Sequence, residues 1–428
     1  MSTVQLHAAR DARIQLLRNL GFEVRIRSTQ TGDYVIASLF NLVQLLRNHP
    51  EFAGRCRYDE FCQECQYRSA DDGEWERLQD IHIDELRFEF EDKWGVAFSG
   101  PNIWSAVNIV CRDNAVNPIL DYFETLRGKW SPAHKSRAEL LLSEYMGAED
   151  TPINRAYSKR WLISIIARAH ATVENPVKVD TMLVLYGGQG IGKSTALQTI
   201  ALEHVYGCRF FGDSELDMTK YKESVQSIQG KLIYELQELA KRTKDVETEK
   251  AFLTRKVDDV RLPYQRSNQK IARVGVFART TNRKNVLTDA SGSRRFWCVD
   301  LGYKKINIPK LRADIESIWA EALFYYDMQE QWHLTDAEEL LRIEAAEDFV
   351  DAHPLTEPVL AAAKKFHPMP ATVSRIIEEL YDVEKYLDKS TRRNQAIIND
   401  ILLSNGYVYA KRQHPYDDKK RINGWWKT

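Results

Sequence analysis

The sequence predicts an α/β fold. Its expected centre is a three-layer core, in which a phosphate-binding glycine loop joins a parallel strand to a helix. A helical N-terminal region precedes the core, and a C-terminal winged-helix-like domain follows it. Three observations carry this expectation. In "MLVLYGGQGIGKSTALQ", residues 182–198, an apolar run breaks into glycines and then into a helix pattern. This strand, loop and helix make one βα unit of a parallel sheet. Further apolar runs, "GKLIYEL", "RVGVFARTTN" and "RRFWCVDL", alternate with helical stretches and supply more strands. Finally, the tail from Ala371 reads as two helix patterns followed by two strand-like pieces around a polar turn.

The 428 residues suffice for several domains, expected at 1–115, 116–175, 176–345 and 355–428. The first is expected to be mostly helical, with β character at "FEVRIRS" and "HIDELRFEFED". "IASLFNLVQLLRNHP" has apolar residues at helical spacing and stops at Pro50. "NPILDYFETLRGKW", "SRAELLLSEYM" and "AYSKRWLISIIARAH" read as helices leading into the glycine loop, and "KSTALQTIALEHV" as the helix leaving it. "LRADIESIWAEALFYYDMQEQW" is a long helix, and the acidic "DFVDAHPLTEP" a linker.

A hydrophobic fraction of 43% with 28% charged residues indicates a packed protein, and no apolar run is long enough for a membrane span. The N-terminal segment has no signal-peptide core, which makes the cytoplasm the expected location. Six cysteines in so long a chain are no disulfide framework. Cys62 and Cys65 form one CxxC without a second ligand pair, so free thiols on a helix are expected rather than a zinc site. The net charge of −1 means that any nucleic-acid binding must come from local patches.

Gly187, Gly188, Gln189, Gly190, Ile191, Gly192, Lys193 and Ser194 fit G-x-x-x-x-G-K-[ST] without departure. Glycines let several backbone N–H groups turn inward onto phosphate oxygens. The following helix, with Thr195 in its first turn, adds its positive end. The Lys193 ammonium would sit against the β- and γ-phosphates, and the Ser194 hydroxyl would ligate Mg²⁺. "GKLIYELQEL" ends a strand in Glu235, with Glu238 three residues on. Glu235 suits the Mg²⁺ shell and Glu238 the attacking water, although the two could exchange roles. Asn282 ends the next strand and could sense the γ-phosphate. Arg294 and Arg295 precede the last one, and one of them could act in trans on a neighbour's nucleotide.

In this order the motifs resemble the virulence-associated protein E family of phages and mobile elements, and the related superfamily-3 AAA+ replicative helicases. The resemblance spans about residues 175–302, with weaker similarity back to Asn117, and "LTDASGSRRFW" is its most specific part. It implies an AAA+ ATPase that uses ATP and Mg²⁺ and forms a ring, expected to be a hexamer, on DNA during replication of a mobile element. Gly187, Gly192, Lys193 and Ser194 match Walker A, Glu235 and Glu238 match Walker B, and Asn282 matches sensor 1. Arg294 and Arg295 match the arginine pair that includes the finger. The Glu-Leu-Gln-Glu spacing departs from the Asp-Glu pair common in AAA+ proteins.

The same resemblance implies a pore hairpin within "VRLPYQRSNQKIARVGVF", strand-like over residues 260–264, with Arg266 and Lys270 at its tip on single-stranded DNA. The tail from Glu384 to Thr428 holds ten Lys and Arg against five Asp and Glu, so it is about +5. Arg392 and Arg393 on a recognition helix, with Lys411 and Arg412 on a wing, are its candidate contacts to duplex origin DNA. Protein docking is the other reading of that tail, with host replication proteins as possible partners. Trp425 and Trp426 are expected in a core.

Three functions fit: a helicase or translocase, an initiator that uses ATP only as an assembly switch, and a P-loop kinase. The arginine pair argues against the last.

Overall fold

The computed structural model describes residues 15, 25–29, 32–69, 73–237, 243–261, 267–284, 286–287, 294–350, 355–383, 392–404 and 406–427. It is a mixed α/β structure with a parallel sheet and many helices. Among the described residues, no helix is long and apolar enough to cross a membrane.

The N-terminal part starts with a hairpin of β1 (Ile26–Thr29) and β2 (Gly32–Val35), followed by helix Leu39–Asn48. Strands β3 (Cys56–Asp59), β4 (Glu64–Tyr67), β5 (Glu76–Arg77) and β6 (Ala115–Val116) form one sheet in the order β5-β4-β3-β6. This sheet is one correction, because strand character is expected from the sequence only at "FEVRIRS" and "HIDELRFEFED". A second correction lies at "HIDELRFEFED", which sits inside helix Asp80–Trp94. The alternating Phe and Glu imitate a strand. However, the buried apolar residues are Ile83, Leu86 and Phe90, spaced by three and four, while Phe88 is 72% exposed. Helix Gly100–Asp113 packs beside helix Leu39–Asn48 on this core. Cys62 lies in a turn and Cys65 in β4, so neither thiol is on a helix. Among the described residues, no group of three or more His, Cys, Asp or Glu is placed to hold a metal ion.

Helix Pro118–Leu126 forms as expected, but "SRAELLLSEYM" is not a long helix and holds only a single wide turn, Leu141–Tyr145. The N–H groups of Arg137 and Ala138 and the Ser136 hydroxyl donate to the fully buried carboxylate of Glu321 instead, Ala138 at 2.8 Å. The Tyr325 hydroxyl adds a bond at 3.2 Å. Removing this acceptor orphans two backbone donors, each costing about 1–3 kcal/mol. Glu321→Ala is therefore expected to lower Tm by roughly 5–10 °C, read by scanning calorimetry. An unchanged Tm would refute the role.

Helix Pro152–Ala169 leads into the main sheet, and nearly all of it is buried. The sheet holds β7 (Met182–Tyr186), β8 (Phe211–Gly212), β9 (Ile233–Gln237), β12 (Val276–Thr281) and β13 (Phe296–Asp300). They are all parallel, in the order β13-β7-β12-β9-β8. Apolar residues on both faces explain the uninterrupted "MLVL". Leu183 and Leu185 enter one cluster, with helices Lys193–Ile200 and Ile308–Asp327, while Met182 and Val184 enter a second with Phe252, Phe277 and Phe349. The predicted helix at 193–205 is broken at Leu202, whose φ of +65° ends it before Glu203–Tyr206.

Between β9 and β12 lie helix Thr243–Leu253 and a hairpin of β10 (Val257–Val260) and β11 (Gln269–Ala272). The hairpin falls where expected, with its first strand ending at Val260 rather than beginning there. Arg168, 1% exposed, donates to the carbonyls of Val179 at 2.9 Å and of Arg255 and Arg273 at 3.3 Å, tying both roots of the hairpin to one guanidinium. Arg273 in turn grips Asp258 at 2.7 and 3.0 Å.

Helix Asp336–Glu347 follows. Phe349 and Val350, expected in a linker, pack instead: Phe349 is 4% exposed and Val350 bridges Leu287. Apolar side chains in an acidic stretch override its loop-like composition. Residues 351–354 of that segment lie outside the described residues. Helices Thr356–Lys365, Val373–Val383 and Arg392–Ser404 then precede the antiparallel pair β14 (Tyr407–His414) and β15 (Asp417–Lys427). Trp425 is buried here and donates to Asn399 at 3.1 Å, and half-buried Trp426 donates to the Ala410 carbonyl at 3.0 Å.

Candidate functional site

Four of the polar residues singled out in the sequence, Lys193, Ser194, Glu235 and Asn282, meet at the carboxyl ends of β7, β12 and β9. A strand order that inserts β12 between two earlier strands opens a crevice at this edge, where α/β sheets take ligands. The loop after β7 turns on Gly190 and Gly192, with φ of +72° and +101°. Gly187 is needed for a different reason, since a Cβ there would lie 2.8 Å from the Gly302 carbonyl oxygen. Helix Lys193–Ile200 then starts with its N–H groups facing the loop, the polarity that favours anions. Gln189, Gly190 and Thr195 are exposed and Ile191 is buried.

Lys193 is 8% exposed. Its Nζ donates to the Gly187 and Gly188 carbonyls at 2.8 and 2.9 Å and to Asn282 Oδ1 at 2.8 Å. Burial lowers its pKa, and the Glu235 carboxylate works against that shift. Ser194 Oγ donates to Glu235 Oε1 at 2.8 Å, and the Thr280 hydroxyl donates to the same oxygen. Glu235 is fully buried, and its Oε2 has no partner among the described residues. A buried, unsatisfied carboxylate oxygen beside a hydroxyl matches the oxygen ligands that Mg²⁺ selects, so these side chains fit the ion.

The arginine pair divides. Arg294 is exposed, whereas Arg295 is half-buried with Nε 4.0 Å from Asp180 Oδ2, and its carbonyl accepts from Met182 N–H at 2.7 Å. Other candidates are not gathered here. Lys270 is exposed on β11, and Lys411 and Arg412 are exposed on β14. Arg392 and Arg393 open helix Arg392–Ser404, but their side chains, like Glu238 and Arg266 altogether, lie outside the described residues. A cavity of about 610 Å³ lined by Tyr58, Arg112, Lys231, Lys270 and Val276 lies at the amino ends of the strands, away from the Lys193–Glu235 cluster.

The sequence marks Thr280 only as a polar strand end beside Asn282, and the fold adds its bond to Glu235. The segment after β13, which packs along the glycine loop, is not marked at all: "LGYKKI" matches no motif, and only the fold brings it there.

Fold and site define a mixed α/β protein whose parallel sheet carries a glycine loop, a buried lysine and a buried acid at one edge. The chain belongs to the virulence-associated protein E-like family, whose domain matches residues 124–351. No curated protein matches the chain. Among solved structures, one described as the A form apo structure of the NrS-1 C-terminal region, 305–718, is 11% identical with a TM-score of 0.41. A second, the A form apo structure of the NrS-1 C-terminal region, is 10% identical with a TM-score of 0.36. Each alignment covers 83% of this chain and 84% of the other.

Proposed function

We propose that the chain is an ATP-driven DNA helicase or translocase with an AAA+ core, acting in replication of a phage or other mobile element in the cytoplasm of a bacterial host. The observation that carries this reading is the convergence of Lys193, Ser194, Glu235 and Asn282 on adjacent strand ends. A bound triphosphate would exchange the loop carbonyls for its own oxygens around Lys193 Nζ, and Asn282 would feel that exchange directly. Ser194 and Glu235 would hold Mg²⁺, which supplies charge neutralisation across the β- and γ-phosphates. Glu238 is assigned to orient the attacking water. The exposed Arg294, rather than the anchored Arg295, is assigned to the neighbouring subunit's nucleotide in a ring of six copies.

The β10–β11 hairpin, with Arg266 and Lys270, would track one DNA strand in the pore, since one hairpin per subunit multiplies a small charge into a basic channel. The three helices and the β14–β15 hairpin make a winged-helix-like module that carries the net positive tail. Arg392, Arg393, Lys411 and Arg412 would meet duplex origin DNA, and host replication proteins are further candidate partners.

That basic module also favours a second reading, an initiator for which ATP is only an assembly switch. The test is ATP turnover with and without single-stranded DNA, beside displacement of a strand from a forked duplex. Both DNA-stimulated turnover and displacement are expected. Turnover without displacement would leave the initiator, and DNA-independent phosphoryl transfer to a small molecule would overturn both.

A further inference from the structure

The segment following β13 is built around the glycine loop along its whole length. Leu301 N–H donates to the Tyr186 carbonyl, Gly188 N–H to the Gly302 carbonyl and Ile306 N–H to the Ile191 carbonyl, all at 2.9 Å. Ile306 and Ile308 come within 3.8 Å of where a Cβ on Gly192 would stand. Leu301 and Ile306, 1% and 7% exposed, are the buried ends of this strap. Between them Tyr303, Lys304 and Lys305 face solvent.

Tyr303 is 78% exposed, more than any other large apolar or aromatic side chain among the described residues. Yet the ring is not loose. Its hydroxyl meets the Tyr186 hydroxyl at 3.2 Å, and its Cδ1 lies 3.0 Å from where a Cβ on Gly188 would stand. A flat, wet aromatic face that is held at both ends has given up little further freedom and can still bury its area on a ligand. Gly302, at φ +65°, sets the turn that presents it.

We propose that Tyr303 stacks on the base of the nucleotide whose phosphates the glycine loop takes, and that this contact sets the site's preference for a purine over a pyrimidine. The inference rests on the reading of the loop as a triphosphate site. Every base offers a π-face, and the larger purine face gains more from stacking than a pyrimidine. The phosphates give affinity without base discrimination, and the ring adds the discrimination.

The test is calorimetric binding to the full chain of a non-hydrolysable ATP analogue, CTP and inorganic tripolyphosphate. Tyr303→Ala is expected to weaken binding of the ATP analogue about ten-fold, or about 1.4 kcal/mol, and to narrow the preference over CTP. It should leave tripolyphosphate affinity unchanged. Tyr303→Phe keeps the ring and should stay within about two-fold of wild type. Equal binding of the ATP analogue by Tyr303→Ala and wild type would overturn the inference. So would equal weakening of the ATP analogue and tripolyphosphate, because the ring would then only prop the loop. If Lys193→Ala abolishes tripolyphosphate binding while Tyr303→Ala changes nothing, the loop reading stands and the stacking reading falls. A wild-type chain that binds none of the three ligands would end both.

Discussion

Lys193→Ala is expected to bring ATP turnover down by about 10²–10³-fold while leaving the fold in place. Nζ is bonded at once to the glycine loop and, through Asn282, to the end of β12. Its loss removes the charge that would face the β- and γ-phosphates, and leaves the Asn282 amide to find another partner. Turnover and thermal melting measured together separate the two effects. A variant with wild-type turnover would remove the loop from the chemistry.

The pH dependence supplies a second check on the same residue. Burial lowers the Lys193 pKa below the ordinary lysine value. The ammonium of the folded chain is therefore lost at lower pH than that of an ordinary lysine, and triphosphate affinity should fall correspondingly early on the alkaline side. In that window the unfolded chain holds the proton and the folded chain does not. This group's contribution to stability accordingly rises with pH there. Weakened binding at alkaline pH with no loss of Tm is the expected pattern, and parallel loss of both would count against it.

Arg294→Ala is expected to lower turnover by about 10³-fold with ATP affinity nearly unchanged. The same change at Arg295 should instead lower Tm, because Arg295 is half-buried beside Asp180 and its neighbourhood is fixed by the Met182 bond. Mixing distinguishes action in trans from action in cis. In an equal mixture of Arg294→Ala and Lys193→Ala chains, about a quarter of the head-to-tail interfaces pair an intact lysine with an intact arginine. Turnover should recover to about that fraction. No recovery above the separate variants would sink the shared site.

What the sequence made legible follows from how local each signal is. The glycine loop, Lys193 and Ser194 are a contiguous string whose chemistry requires that spacing. The strands β7, β9, β12 and β13 were readable because each is apolar on both faces. Glu235 and Asn282 could be picked as strand ends, but their convergence on Ser194 and Lys193 depends on β12 inserting between β7 and β9, which no local pattern encodes. The alternating Phe-Glu run misled because only tertiary packing decides whether Phe88 or Leu86 turns inward. The segment expected to be helical around Leu141 was decided by Glu321, about 180 residues away. Tyr303 left no trace at all, since a lone tyrosine in a loop acquires meaning only from the glycines it lies against.

Arg168 gives the hairpin between β9 and β12 a mechanical character. Its guanidinium binds carbonyls at both roots of that hairpin and a third just before β7. A load applied at the far end therefore cannot peel one strand from the other at the base. It is delivered as a bending moment to a single pivot, and that pivot belongs to helix Pro152–Ala169, among the most deeply embedded in the molecule. The hairpin is a stiff lever mounted on a fixed axle, and a push on it is spent on the frame of the protein rather than on its own unravelling.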